Sequence, residues 1–282
     1  MKASFLLFAN MGGIVCGSCS DLTIFQLSKK EPVALAVSPT SPIPWLNIIE
    51  KYRRKGEPQH HNKFELYAKD FNAYLSTVTA NPEWRNLNPD KLRLIFMGYG
   101  TNDIYPTVYE TYVGLNEESM TLQIEKETGN RITHKDKVYW SYIGNFNQME
   151  IIFQGATTPM NQFIITKVQA LYDEYVARVK AKFSGTKYEQ MVDERITKFD
   201  VHSQAQNLVM DASRKMHKRL QIGVDAFSIE DLVNVVETII NANIRLSHLQ
   251  SSGKESMEQV REIAVITRAE GLTWIRHSLF AL

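Results

Sequence analysis

Four short apolar runs, each closed by a turn signal, fill the start of the chain before any helical period begins. They are Ser4–Ala9, Ile14–Cys19, Leu22–Leu27 and Pro32–Val37. Met11-Gly12-Gly13 separates the first two, and Lys29-Lys30-Glu31-Pro32 the last two. Runs this short, joined by tight turns, predict antiparallel hairpins. Any fold for this chain must therefore bury a β-sheet made from its N-terminal end.

The period then changes. Ser41-Pro42-Ile43-Pro44 reads as a helix start, with prolines tolerated in the first turn. Trp45, Ile48, Ile49 and Tyr52 follow at helical spacing, with Lys51, Arg53, Arg54 and Lys55 as the wet side and basic end. After the loop Gly56–His61, a second helix starts near Asn62, with Phe64, Tyr67, Ala68, Phe71 and Leu75 as its apolar stripe. Strands are expected again at Lys91–Tyr99, Tyr105–Val113, Met120–Lys126 and Lys137–Ile143, then a short helix at Gln148–Phe153. A helical region spans roughly 159–220, broken at Ser184-Gly185 before a second, polar helix. A further helix begins at Ser228, where Asp231 completes a capping box. A hairpin, Glu262–Thr267 with Leu272–Ile275, closes the chain.

This order suits two antiparallel sheets packed together with helices outside, an α+β arrangement. Alternating βαβ units are absent, which argues against a dinucleotide-binding fold. Of the 282 residues, 44% are hydrophobic and 22% charged, and the net charge is +1. That balance supplies a sizeable core and gives no footprint for nucleic acid or an anionic membrane. Phe5–Ala9 is too short for the apolar region of a signal peptide, so a cytoplasmic location is expected. Two cysteines give no disulfide framework.

Several segments resemble bacterial proteasome-like proteins, of the N-terminal-nucleophile hydrolase fold. Ile24-Phe25-Gln26-Leu27 through Pro32-Val33-Ala34-Leu35 is similar to the stretch after their catalytic lysine. Pro44-Trp45 through Tyr52-Arg53-Arg54 resembles the helix that follows it. Phe96-Met97-Gly98-Tyr99-Gly100 through Ile104-Tyr105-Pro106 resembles their central hairpin, and Ile263–Thr267 with Gly271–Ile275 their closing one. Each segment is weakly specific; their order carries the likeness. It implies a single domain over 1–282, folded as a four-layer αββα sandwich, with a helical insertion at about 156–226. It also implies assembly into a homo-oligomer, a ring or spiral, with room for a protein partner.

The same resemblance sets a chemical expectation. Enzymes of this family attack an amide with the side chain of their first residue, whose free amine helps move the proton. An Asp and a Lys set the electrostatics, and a glycine N–H helps hold the oxyanion. Gly13-Ile14-Val15-Cys16-Gly17-Ser18-Cys19-Ser20 aligns with the segment that carries the Asp. Cys19 then stands at the Asp position, and the family spacing back from it reaches Ala3, which has no nucleophile. Thr23 falls at the Lys position and Pro39 near the oxyanion glycine. Proline has no N–H to donate, and losing one such donor typically costs about 10²–10³ in rate.

Other registers do not restore the set. Asp21 in the Asp role points back to Phe5, and Ser4 as nucleophile points to Ser20. Lys29 and Lys30 are candidate lysines but sit in the turn. Met1 precedes Lys2, a bulky residue that usually prevents Met removal. The expectation is therefore a catalytically degenerate proteasome-like protein. The alternative is an active peptidase or amidohydrolase using Ser4 after processing, or Cys16 or Cys19 in an unusual arrangement. A third reading has the true N-terminus upstream.

The remaining signals have plainer readings. Cys16-Gly17-Ser18-Cys19 is a C-x-x-C, but it lies in strand-like sequence with no second pair, so buried small residues explain it better than redox or metal chemistry. His60-His61 is the nearest histidine pair. Arg214-Lys215-Met216-His217-Lys218-Arg219 reads as a solvated helix end. Asp103 and Glu117/Glu118 sit in turns rather than forming a catalytic pair. No phosphate-binding loop, H-E-x-x-H or G-x-S-x-G occurs, and neither cofactor nor metal is expected.

Overall fold

Alternation with a period of two decides which residues of the strands meet. The computed structural model describes residues 5–19, 23–28, 31–37, 43–54, 61–79, 92–116, 121–143, 158–197, 199–250 and 260–276. The strands are β1 (Phe5–Asn10), β2 (Gly13–Ser18), β3 (Ile24–Gln26), β4 (Val33–Val37), β5 (Leu92–Gly98), β6 (Thr107–Asn116), β7 (Thr121–Arg131), β8 (Tyr139–Ile143), β9 (Glu262–Thr267) and β10 (Gly271–Arg276). The helices are α1 (Trp45–Arg54), α2 (Phe64–Thr79), α3 (Thr158–Phe183), α4 (Glu189–Thr197), α5 (Val201–Ala226) and α6 (Ile229–Gln250). The expected short helix at 148–153 lies outside the described residues.

The fold is α+β, with two five-stranded sheets whose neighbouring strands are antiparallel. One runs β10-β9-β2-β1-β8 and the other β3-β4-β5-β6-β7. Phe5, Leu7, Cys16 and Ala264 of the first sheet pack with Ala34, Ile95, Met97 and Val108 of the second in one buried cluster. Burying such alternate apolar rows stabilises by about 25 cal/mol per Å² removed from water. The other face of the second sheet, through Leu35, Leu94 and Phe96, packs against the stripe residues of α1 and α2. Phe71 of α2 sits at that junction, with its ring 5.0 Å from Tyr52 and 5.8 Å from Phe96, edge to face in both pairs.

α6 lies against β1, β2 and β9. Ser228 and Asp231 close the box at its start: the Asp231 amide donates to Ser228 Oγ at 3.1 Å, and the Ser228 amide donates to the Asp231 carboxylate at 3.1 Å. The approach of α6 to the sheet is set by Gly17, where a Cβ would come within 2.7 Å of Val236 and 2.9 Å of Ile240. A second glycine is required at position 98. Its φ is 146°, and a Cβ there would sit 1.9 Å from the Pro32 carbonyl oxygen.

The chain divides into two compact units, Met1–Phe146 with Gln221–Leu282, and Asn147–Leu220. The first holds both sheets, α1, α2 and α6. The second is helical: α3 packs on α4, and Tyr172 donates to the Ile196 carbonyl at 3.4 Å. The expected polar helix is two helices here. Asp200 starts the later one, accepting the Ser203 amide at 3.0 Å, and that helix runs on to Ala226. No glycine or proline marks the break, so the sequence period gives no warning of it. β7 also extends beyond the expected Lys126 to Arg131, because its pairing with β6 continues to Thr107↔Arg131 past a bulge at Tyr112/Val113. That edge segment is polar and carries no alternating apolar signal.

Gly17→Ala is expected to push α6 off β2 and cost about 1–3 kcal/mol. Urea unfolding should show a lower midpoint with an unchanged slope.

Candidate functional site

Glu262 and Cys16 lie on inward-facing strand positions. Ser18, at the end of β2, pairs with Phe5 of β1 on one side and Glu262 of β9 on the other. Glu262 shares the parity of Ala264 and Ile266, which are part of the core between the sheets, and is fully buried. Its Oε2 accepts from the Thr23 hydroxyl at 2.8 Å, the Thr23 amide at 3.1 Å and the Ile24 amide at 3.3 Å. The Thr23 carbonyl in turn accepts the Val37 amide at 3.0 Å. One carboxylate thus ties the first strand-forming residues of the second sheet to the start of β9.

Cys16 lies next along the same face, paired with Ala264, whose carbonyl its thiol reaches at 3.7 Å. Burial pushes the Cys16 thiol far up from its ordinary value, and the negative charge of Glu262 adds to the effect. A thiol so placed is poorly nucleophilic, because the thiolate is the reacting form. Cys19 is also buried, and neither cysteine is in a disulfide. Among the described residues, no group of three or more His, Cys, Asp or Glu is placed to hold a metal ion.

A second buried carboxylate joins the two sheets elsewhere. Glu110 of β6 accepts from both Ser141 Oγ and Tyr139 OH of β8 at 2.6 Å. Arg93 of β5 donates to its two oxygens at 2.8 and 2.7 Å, and also to the Tyr142 carbonyl at 2.7 Å. Burial alone would raise the Glu110 pKa. The Arg93 charge, with the hydrogen bonds from Ser141, Tyr139 and Arg93, outweighs it and holds the carboxyl below its usual range. The same negative charge, after burial itself, pushes the Tyr139 phenol up. Ser141 donates to this carboxylate and accepts from Arg93 at 2.7 Å, so its hydroxyl is held between two charged groups, which suits structure better than attack on a substrate.

The sequence-derived positions divide. Cys19 directly follows β2 and Thr23 directly precedes β3, and Thr23 is bonded to Glu262. Ala3, Ser4, Pro39, Asp21, Lys29, Lys30 and His60 lie outside the described residues. His61 is placed beside α2, where its backbone amide donates to Tyr67 OH at 3.1 Å. Asp103 is structural: it accepts the Phe64 amide at the start of α2 at 3.2 Å, the Gly100 amide at 2.9 Å and Arg131 at 2.7 Å. The basic cluster lies within α5 rather than at its end, because that helix runs on to Ala226; Arg214, Lys215, Lys218 and Arg219 are exposed there.

No family model matches the chain, and no curated protein matches it. The site must be judged on its own chemistry. Glu262 and Glu110 are the residues that sequence reasoning missed, and a signal was present for both. Each shares the parity of a core residue on its own strand, Ala264 for Glu262 and Val108 for Glu110, so each is a charge on a buried face, which requires partners.

Glu262→Gln should lose about 1–3 kcal/mol as charge-assisted hydrogen bonds become neutral ones, measured by urea unfolding. Native Cys16 should resist iodoacetamide at mildly alkaline pH and react after denaturation, as read by peptide mass mapping. For Glu110 the linkage sign is definite. A lowered folded-state pKa gives stability that is present above the unfolded value, roughly 4.3, and is lost as pH falls through the folded value. Wild-type unfolding midpoints should therefore drop with acidification across that window. Glu110→Gln should be less stable at neutral pH by about 1–3 kcal/mol and show a flatter acid slope.

Proposed function

We propose that this chain is a proteasome-like protein whose sandwich has lost the hydrolase chemistry and serves as a structural or interaction component of a cytoplasmic homo-oligomer. Two stacked antiparallel sheets, with α1 and α2 on one outer face and α6 on the other, support the four-layer αββα reading. The resemblance in local sequence supplies the family.

One observation carries the loss of chemistry. At Thr23, where the resemblance puts the lysine, a neutral hydroxyl is donated to the buried carboxylate of Glu262. A hydrolase of this kind needs positive charge beside its nucleophile, to favour the anion that attacks and the oxyanion that forms. Here the local field has the opposite sign, and it acts with burial to keep the neighbouring Cys16 a thiol. Ala3 offers no nucleophile at the expected place, and Pro39 has no N–H for an oxyanion.

The competing enzyme reading rests on Ser4 becoming the first residue after processing. Intact-mass measurement of the purified chain, with a panel of fluorogenic peptides and an N-terminal-nucleophile probe, separates the two. We expect no processing to Ser4, no probe adduct and no turnover. A mature chain beginning at Ser4, with hydrolysis abolished by Ser4→Ala, would overturn the proposal.

A further inference from the structure

The helical unit carries an apolar face of its own. Along α3, Met160, Phe163, Ile164, Val168, Leu171 and Tyr175 are all exposed, Leu171 by 67% and Tyr175 by 64%. At 100° per residue Ile164, Val168, Leu171 and Tyr175 fall within one narrow stripe, roughly 16 Å long at 1.5 Å per residue. The adjoining face of the helix, through Tyr172, packs within the unit: the hydroxyl reaches the Ile196 carbonyl and the ring lies 5.7 Å from Phe199. A continuous exposed apolar stripe of this kind marks an association surface.

The spacing says more than the apolarity. Ile164, Val168, Leu171 and Tyr175 follow the 4-3-4 alternation of a coiled-coil seam. Lys167 and Glu174 lie seven residues apart, on one flank of that seam. A second copy laid antiparallel places Val168 opposite Leu171 of the other copy and Ile164 opposite Tyr175. The same alignment brings Lys167 of each copy to Glu174 of the other, twice, by symmetry. A parallel alignment would set the flank charges against Tyr172 and Val179, which offer no opposite charge. Glu174 already holds Arg178 on its own helix, and Lys167 rests 5.5 Å over the Phe163 ring, so both charged groups are held beside the seam.

We infer that α3 is a self-association surface, on which two copies of this chain pair antiparallel through the stripe from Ile164 to Tyr175. The arrangement is isologous, each copy offering the same patch to the other. This inference deepens the oligomer reading above and rests on it.

The test uses the full chain in sedimentation velocity across a dilution series. Leu171→Glu places two like charges near the symmetry axis of the pair and should weaken association about a hundredfold or more. Leu171 is exposed, so far-ultraviolet circular dichroism should be unchanged. Lys167→Glu or Glu174→Lys alone should each weaken it, by roughly tenfold, and the double exchange should restore it. Oxidised mixtures of Val168→Cys and Leu171→Cys chains should cross-link faster than either variant alone. A wild-type chain that stays monomeric throughout overturns both this inference and the oligomer reading. An oligomer indifferent to Leu171→Glu overturns this inference and leaves that reading standing. Loss of affinity for phosphatidylserine vesicles in the Leu171→Glu variant, with its oligomer intact, would assign the stripe to a membrane surface and also overturn it.

Discussion

The parity of the strands is the constraint on which everything else rests. A residue one step along a strand points to the opposite face, so a single slip in register would move Cys16 and Glu262 out of the interior together. The pairing Phe5↔Ser18↔Glu262 fixes that register across three strands. Once it holds, the apolar rows of the two sheets meet, and two carboxylates are carried inward with them. Glu262 and Glu110 are the polar cost of this arrangement, and each is met by donors from the opposing sheet.

Much of the architecture was legible because it is written in short-range pattern. The stripe Phe64, Tyr67, Ala68, Phe71 and Leu75 predicts α2, and all of it is buried. The closing hairpin and the capping box at Ser228 and Asp231 were equally readable, since each depends on neighbours a few residues apart. What escaped was long-range. The extension of β7 depends on β6 as a template, and the break between α4 and α5 has no glycine or proline to announce it.

The candidate site shows the same division. Thr23 could be singled out by alignment of local segments, but the carboxylate that accepts its hydroxyl hydrogen bond stands far away at position 262. Nothing in a linear spacing of Cys and Thr discloses that a buried negative charge stands beside Cys16 and Thr23. The parity of Glu262 within Glu262–Thr267 does disclose that a charge faces inward, and a systematic search for inward-facing charges would find Glu110 by the same rule.

Asp103 has a consequence of its own. Its carboxylate gathers the first amide of α2, the backbone after β5 and the arginine that ends β7. These belong to distant stretches of sequence, and withdrawing the carboxylate would leave the buried amides of this corner, Phe64 and Gly100, without this acceptor. That corner should behave as one cooperative unit, with helix, turn and edge strand coming loose in concert, and the polar tail of β7 is kept from fraying by a group outside its own sheet ladder.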